Sequence, residues 1–322
     1  MVKPQICARR TEQALANADR ISFLVICLFF WLVCVSPARA DRGSIAFLEG
    51  VKIFEPRQQA IIAWDGEEEI LVLSTDMYAS KPTGVLEVLP LPSEPVVKEA
   101  DPEIFEKATM LINAKLAEGR GVGGEKSLTA SVSALKELPG GEVTFHERIG
   151  AHDISVTHVL KSAEFIQWVE DYLVAQGVAN PLIPQVLKDS IEEYIREGFQ
   201  WFVFDVVNLE EQVKTNQAIQ YRFKSDSLFY PLKISRTDNG KTEIQLLILN
   251  EKLLNEFTGI PSRQINLAHY PLEITSEELR ALNDEMDEMF GHRENVKLRI
   301  WNIQGDLSSF NNDLVARTRK QR

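Results

Sequence analysis

The sequence predicts an α+β fold in which antiparallel strands and hairpins carry helices packed on one side. Three observations lead there. Two apolar runs, Ala60 to Trp64 and Ile70 to Leu73, flank Asp65-Gly66, which supplies the positive φ of a tight hairpin turn. Apolar stripes at helical spacing recur through 104–116, 165–173 and 187–195. From Phe199 onward the pattern returns to strands.

The first forty residues read as a signal peptide. Arg9, Arg10 and Arg20 precede an apolar core from Ile21 to Val35, and Ala38-Arg39-Ala40 is a small-x-small cleavage site. The core falls short of the roughly 20 apolar residues a spanning helix needs. Cleavage after Ala40 therefore predicts a periplasmic or secreted protein with no membrane span. All three cysteines (Cys7, Cys27, Cys34) lie in this segment. The chain beyond Ala40 lacks a thiol nucleophile and any Cys-based zinc site. The full sequence carries a net charge of −12, and the leader holds five Lys/Arg against two Asp/Glu, so the remainder is more acidic still. Such a surface repels phosphate backbones, which argues against a nucleic-acid partner.

Residues 41–118 read as a β-rich lobe with one helix. After the hairpin, Val85 to Leu91 forms a further strand, and Pro90, Pro92 and Pro95 place it at an edge or make it peel away, since proline cannot donate to a ladder. Asp101-Pro102 then opens a helix whose face is Ile104, Phe105, Ala108, Ile112, Ala114 and Leu116, stopped by Gly119. Residues 119–141 read as a Gly-rich linker. GRGVGGEKS (119–127) resembles a phosphate loop in glycine spacing, but Glu125 intrudes before Lys126 and the preceding element is a helix, so no nucleotide site is expected.

Residues 142–305 read as an α+β lobe. Strands Val143 to Ile149 and Ile154 to Leu160 flank a turn at Gly150. Two helices come next, the first capped by Ser162 and bearing Trp168, the second starting at Pro184. Phe199 to Val207 is nearly all apolar and reads as a strand buried on both faces. A hairpin turning at Asp238-Asn239-Gly240 succeeds it, then a capping box, Thr275 with Glu278. That box starts a helix with Leu279, Leu282, Met286, Met289 and Phe290 inward and a solvated acidic face of Asp284, Glu285, Asp287 and Glu288. The N-terminal strands should join the sheet of 199–250, because hairpins alone bury too little surface. Residues 306–322, with Arg317, Arg319, Lys320 and Arg322, read as a flexible basic tail.

Three patches carry a resemblance: WDG running on into LPLPSEP, HERIGAHDISVTHVL, and Tyr194 and Gly198 with Phe199 to Val207 and YPLKIS. Together they resemble the bacterial family called domain of unknown function 2330, with His152 standing where that family more often has Tyr. The resemblance implies an exported bacterial protein and no particular activity.

Motifs for catalysis are absent in sequence order: no Gly-x-Ser-x-Gly elbow, no working His-Glu-x-x-His, no phosphate loop. The leading reading is a non-catalytic binding or structural module of the cell envelope, holding an envelope protein or polymer by a sheet edge or a groove, with no cofactor. The alternative is a metal-dependent hydrolase built on His146, His152 and His158 with Glu147 or Asp153. It requires a tight reversal at Gly150 to bring His146 and His152 together.

Overall fold

The computed structural model describes residues 42–118, 141–237, 241–252, 254 and 257–317. In chain order the elements are β1 (Gly43–Ala46), β2 (Ile53–Trp64), β3 (Glu68–Ala79), β4 (Thr83–Leu91), β5 (Val96–Glu99), α1 (Ile104–Glu118), β6 (Gly141–Ile149) and β7 (His152–Val159). Then come α2 (Ser162–Ala175), α3 (Gln185–Arg196), β8 (Trp201–Leu209), β9 (Lys214–Thr215), β10 (Ile219–Lys224), β11 (Leu228–Tyr230), a 3-10 turn at Lys233–Thr237 and β12 (Lys241–Asn250). The chain closes with β13 (Ile265–Leu267), β14 (Leu272–Ile274), α4 (Ser276–Leu282), α5 (Asp284–Met289), β15 (Val296–Asp306) and β16 (Leu314–Ala316). The expected leader, most of the Gly-rich linker and the Asp238-Asn239-Gly240 turn lie outside the described residues.

Local chemistry explains the hairpins. Gly66 takes φ +117, and the Asp65 carboxylate accepts the N–H groups of Glu67 and Glu68 at 2.8 Å each, turning β2 back onto β3. Between β6 and β7 the loop is only Gly150-Ala151, with Gly150 at φ +58, and Ile149 faces His152 across it. That is the reversal the three-histidine reading requires.

Two sheets lie face to face. One runs β1-β4-β8-β7-β6; the other runs β13-β15-β12-β2-β3-β10-β5 with β9 and β14 attached. Among the described residues all pairings are antiparallel except β12 with β2, which is parallel. Alternation along the strands sorts the side chains into layers. Ile62, Leu71, Leu73 and Leu246 of the larger sheet meet Leu89, Leu91, Val156 and Val203 of the smaller in one central core. The opposite face of the larger sheet, with Ile61, Val72 and Leu247, buries Ile104 and Ala108 of α1 and Leu279, Met286 and Phe290 from the α4–α5 region. The opposite face of the smaller sheet, with Leu86, Phe202 and Phe204, buries Phe165 and Trp168 of α2 and Leu187 and Tyr194 of α3.

The α+β class therefore holds, but the helices do not lie on one side. Each sheet exposes an apolar outer face that must be covered, so α1, α4 and α5 cover one and α2 and α3 the other. Nor does the boundary read at 119–141 separate two lobes. The described residues form one compact unit, and both large sheets take strands from either side of that stretch. The expected joining of early and late strands is made by β3 with β10 and β2 with β12.

Three further expectations need correction. β4 is not an edge strand, since β1 and β8 flank it, but β1 reaches only Val85 to Val88. Pro90 lies beyond it, with Phe202 of β8 its sole register partner, where a missing donor is tolerated. The helix from Thr275 breaks at Asn283, whose extended backbone (φ −164, ψ 117) ends α4 and whose side chain accepts from Met286 N to cap α5. The break turns Asp287 inward to full burial, holding Ser276, Arg280 and His292, so it is not on a solvated face. Finally, 306–316 is not a loose tail: Leu307, Phe310 and Leu314 are buried in the central core, and β16 pairs with β11.

Candidate functional site

The predicted histidines do not assemble. His146 pairs with Asp153. His158 stacks on Trp201 with ring centroids 4.4 Å apart. His152 and His158 are six residues apart on β7, roughly 20 Å for an extended strand. His152 alone enters a chemically loaded site. It is buried, and its Nδ1 lies 2.6 Å from the Asp205 carboxylate.

That site sits between the sheets. Glu87 of β4 and Asp205 of β8 are directly opposite in register, buried to 1% and 2% exposure. Two carboxylates opposed across a ladder repel unless a cation or proton comes between them. Arg42, just ahead of β1, supplies the cation. Its Nη1 donates to Glu87 Oε2 at 2.5 Å and to Asp205 Oδ2 at 3.2 Å, and its Nη2 to the Tyr221 hydroxyl of β10 at 3.3 Å. Burial pushes the Glu87 carboxyl up, outweighing the pull of Arg42. Burial pushes His152 down, but the charge and hydrogen bond of Asp205 outweigh it, so the imidazole holds its proton above the usual value.

Glu87, His152 and Asp205 offer ligand atoms within 4.8 Å of one another, a two-carboxylate, one-imidazole set suited to a divalent metal. The spacing is nevertheless that of a hydrogen-bonded ionic cluster. Ligands 2.0–2.2 Å from a shared tetrahedral ion lie about 3.4 Å apart, whereas His152 Nδ1 and Asp205 Oδ2 stand 2.6 Å apart and the guanidinium bridges the carboxylates. The Arg42 guanidinium lies between Glu87 and Asp205, and the His152 imidazole is bonded to Asp205. Glu147 is also buried, but on β6 opposite Ile154.

A second locus is open. A cleft of about 880 Å³ lies beside the β11–β16 pair. Phe199 and Phe229 (centroids 5.5 Å apart) line it, with the cations Lys224, Lys233 and Arg317 and the anions Glu197, Asp226 and Asp313. Lys233 is 3% exposed; its Nζ lies 2.5 Å from Glu197 Oε2 and 4.2 Å from the centre of the Tyr194 ring. Asp313 Oδ1 accepts from the Tyr194 hydroxyl at 2.6 Å and from Lys233 N at 2.8 Å.

Burial raises the Asp313 carboxyl to about 6, against the lowering pull of those two hydrogen bonds. An unfolded Asp titrates near 3.9, so the native state holds this proton more tightly. Its stabilisation is full below about pH 4 and is lost as pH rises through about 6. Asp313→Asn keeps the Oδ1 acceptor and removes the titration. The Tm of the parent relative to this variant should fall between pH 4 and 6.5 and level off above; a pH-independent difference would refute the assignment.

No curated protein matches the sequence. Among solved structures, baculovirus P35 is similar at 11% identity and a TM-score of 0.38, covering 86% of this chain and 100% of that one. A mutated P35 after caspase cleavage matches at 10% identity and 0.36, with 82% and 97% covered. A candidate nutrient-binding protein of Legionella pneumophila matches at 6% and 0.29, over 85% of this chain and 68% of that one. All three scores lie below 0.5, and the fold is defined by its own strand order. The family comparison is decisive by contrast: its model matches residues 37–268, spanning the hairpin, the Gly150 turn and the Phe199 strand, and the chain belongs to the family described as "Uncharacterized protein conserved in bacteria (DUF2330)".

Proposed function

We propose that the protein is an exported, non-catalytic module that holds a polymer of the cell envelope, and that the cleft beside β11 and β16 is where it does so. The cleft carries the reading. Its most perturbed acid, Asp313, spends one oxygen on Tyr194 and the Lys233 backbone, and Lys233 Nζ is taken by Glu197. Groups committed to one another in this way hold the shape of the cleft. Three cations against three anions leave no strong field for an ion of either sign. A half-exposed Phe199 amid Ser225, Ser227, Thr258 and Asn312 suits a polar, largely uncharged chain such as a glycan. The leader supports export, and no described helix is long and apolar enough to cross a membrane.

Titration of the processed protein with soluble cell-wall oligosaccharides, followed by calorimetry, tests the reading. Binding should weaken about tenfold or more in Phe199→Ala, the loss of roughly 1.4 kcal/mol. Absence of binding to any such oligosaccharide would overturn it. Recovery in the cytosolic fraction of a chain still carrying residues 1–40 would overturn the export half. Metal analysis of the same sample addresses the hydrolase alternative: stoichiometric zinc, lost on His152→Ala, would favour it.

A further inference from the structure

We propose that the space bounded by Glu87, Asp205 and Tyr221 is a guanidinium-binding site, filled in cis by Arg42, and that this occupancy fastens the first strand to the body. It goes beyond the cleft and does not rest on it. The walls come from strands that hold one another without β1: β4 pairs with β8, β8 with β7, and Tyr221 is set in β10 of the facing sheet. The receptor therefore stands whether or not β1 is seated.

Its chemistry selects a planar fork over a point charge. One terminal nitrogen spans Glu87 and Asp205 while the other reaches a hydroxyl on the opposite sheet. An ammonium carries three donors on a single atom and cannot span that arrangement. Glu87 Oε1 and Asp205 Oδ1 are buried with no hydrogen-bond partner, so the walls have acceptor capacity to spare for a donor-rich cation. His152, donating from Nδ1 to Asp205, holds that carboxylate in place.

The tether is short. β1 is four residues long, and its sheet partner is β4. Beside Arg42, Gly43 is pressed so closely on the body that a Cβ there would stand 2.6 Å from Leu187 Cδ1. Four paired residues make a weak strand, and the buried side chain immediately before them is its anchor. By sequence, Arg42 stands two residues after Ala40, the expected end of the leader.

Chemical complementation tests this on the processed chain. Arg42→Ala should lower Tm by on the order of 10 °C, and Arg42→Lys by nearly as much. Methylguanidinium at low millimolar concentration should raise the Tm of Arg42→Ala saturably and leave the parent unchanged. Methylammonium and sodium chloride at the same concentration should do nothing. Hydrogen exchange gives a second readout. The β1 amides should exchange faster in Arg42→Ala and stay fast with methylguanidinium, which restores the body but is not joined to β1. If Arg42→Ala does not fold unaided, refolding yield replaces Tm, with recovery specific to methylguanidinium expected. Equal effects of the three additives, or an Arg42→Ala variant as stable as the parent, would overturn the proposal.

Discussion

A chain ending at Asp306 is expected to lose its cooperative fold. The residues beyond it look dispensable by composition, yet Leu307, Phe310, Leu314 and Ala316 are all within 3% of full burial in the core between the sheets. Burying a Leu or Phe side chain contributes about 1.5–3 kcal/mol, so the three large ones alone amount to about 5 kcal/mol or more. Whole domains are stable by about 5–15 kcal/mol. The truncation also strips the hydroxyl partner from Tyr194 and the backbone partner from Lys233, since both donate to Asp313. Urea unfolding followed by circular dichroism should show no sigmoidal transition for the chain ending at Asp306. A chain ending at Arg317 should keep the parent's midpoint. Matching transitions for all three would mean that β16 adds nothing to the core.

Asp205→Ala should cost about 3–5 kcal/mol, the usual result of breaking one side of a buried ion pair. The carboxylate serves two partners at once, Arg42 and His152, and neither can reach water from 3% and 2% exposure. Removing the whole set of opposed charges is a different experiment. The fourfold replacement Arg42→Met, Glu87→Leu, His152→Leu, Asp205→Leu should fall within about 2 kcal/mol of the parent, because well-packed apolar groups replace buried ions at little net cost. Equilibrium urea denaturation measures both. A fourfold variant as weak as Asp205→Ala would show that the cluster stabilises beyond the mutual neutralisation of its members.

Much of the fold is legible residue by residue. Asp65-Gly66, the Gly150 turn and the stripes of α2 and α3 announce themselves because turn chemistry and helical periodicity are local. The partners of these elements are not local. Nothing near Gln58 says that β2 will lie parallel to β12, and nothing near Leu314 says that it will lie opposite Tyr230. The same holds for the ionic site, whose charges come from three distant strands and the residue before a fourth. One signal was present all the same. Glu87 in VLEVL and Asp205 in WFVFDVV are single carboxylates inside otherwise apolar runs, where a charge must find a partner or forgo ionisation. Histidine spacing drew attention to His146 and His158, which the hairpin register directs elsewhere. Asp287 was obscured differently: a helical wheel places it outward, and only the extended backbone at Asn283 turns it in.

The parallel seam between β12 and β2 also sets a timetable. Gln58 and Ile244 are register partners, so the middle of the larger sheet closes only after roughly 190 further residues have been made. Pairings this distant make for slow folders. A nascent chain that has not yet reached Leu249 has nothing to lay against that flank of β2.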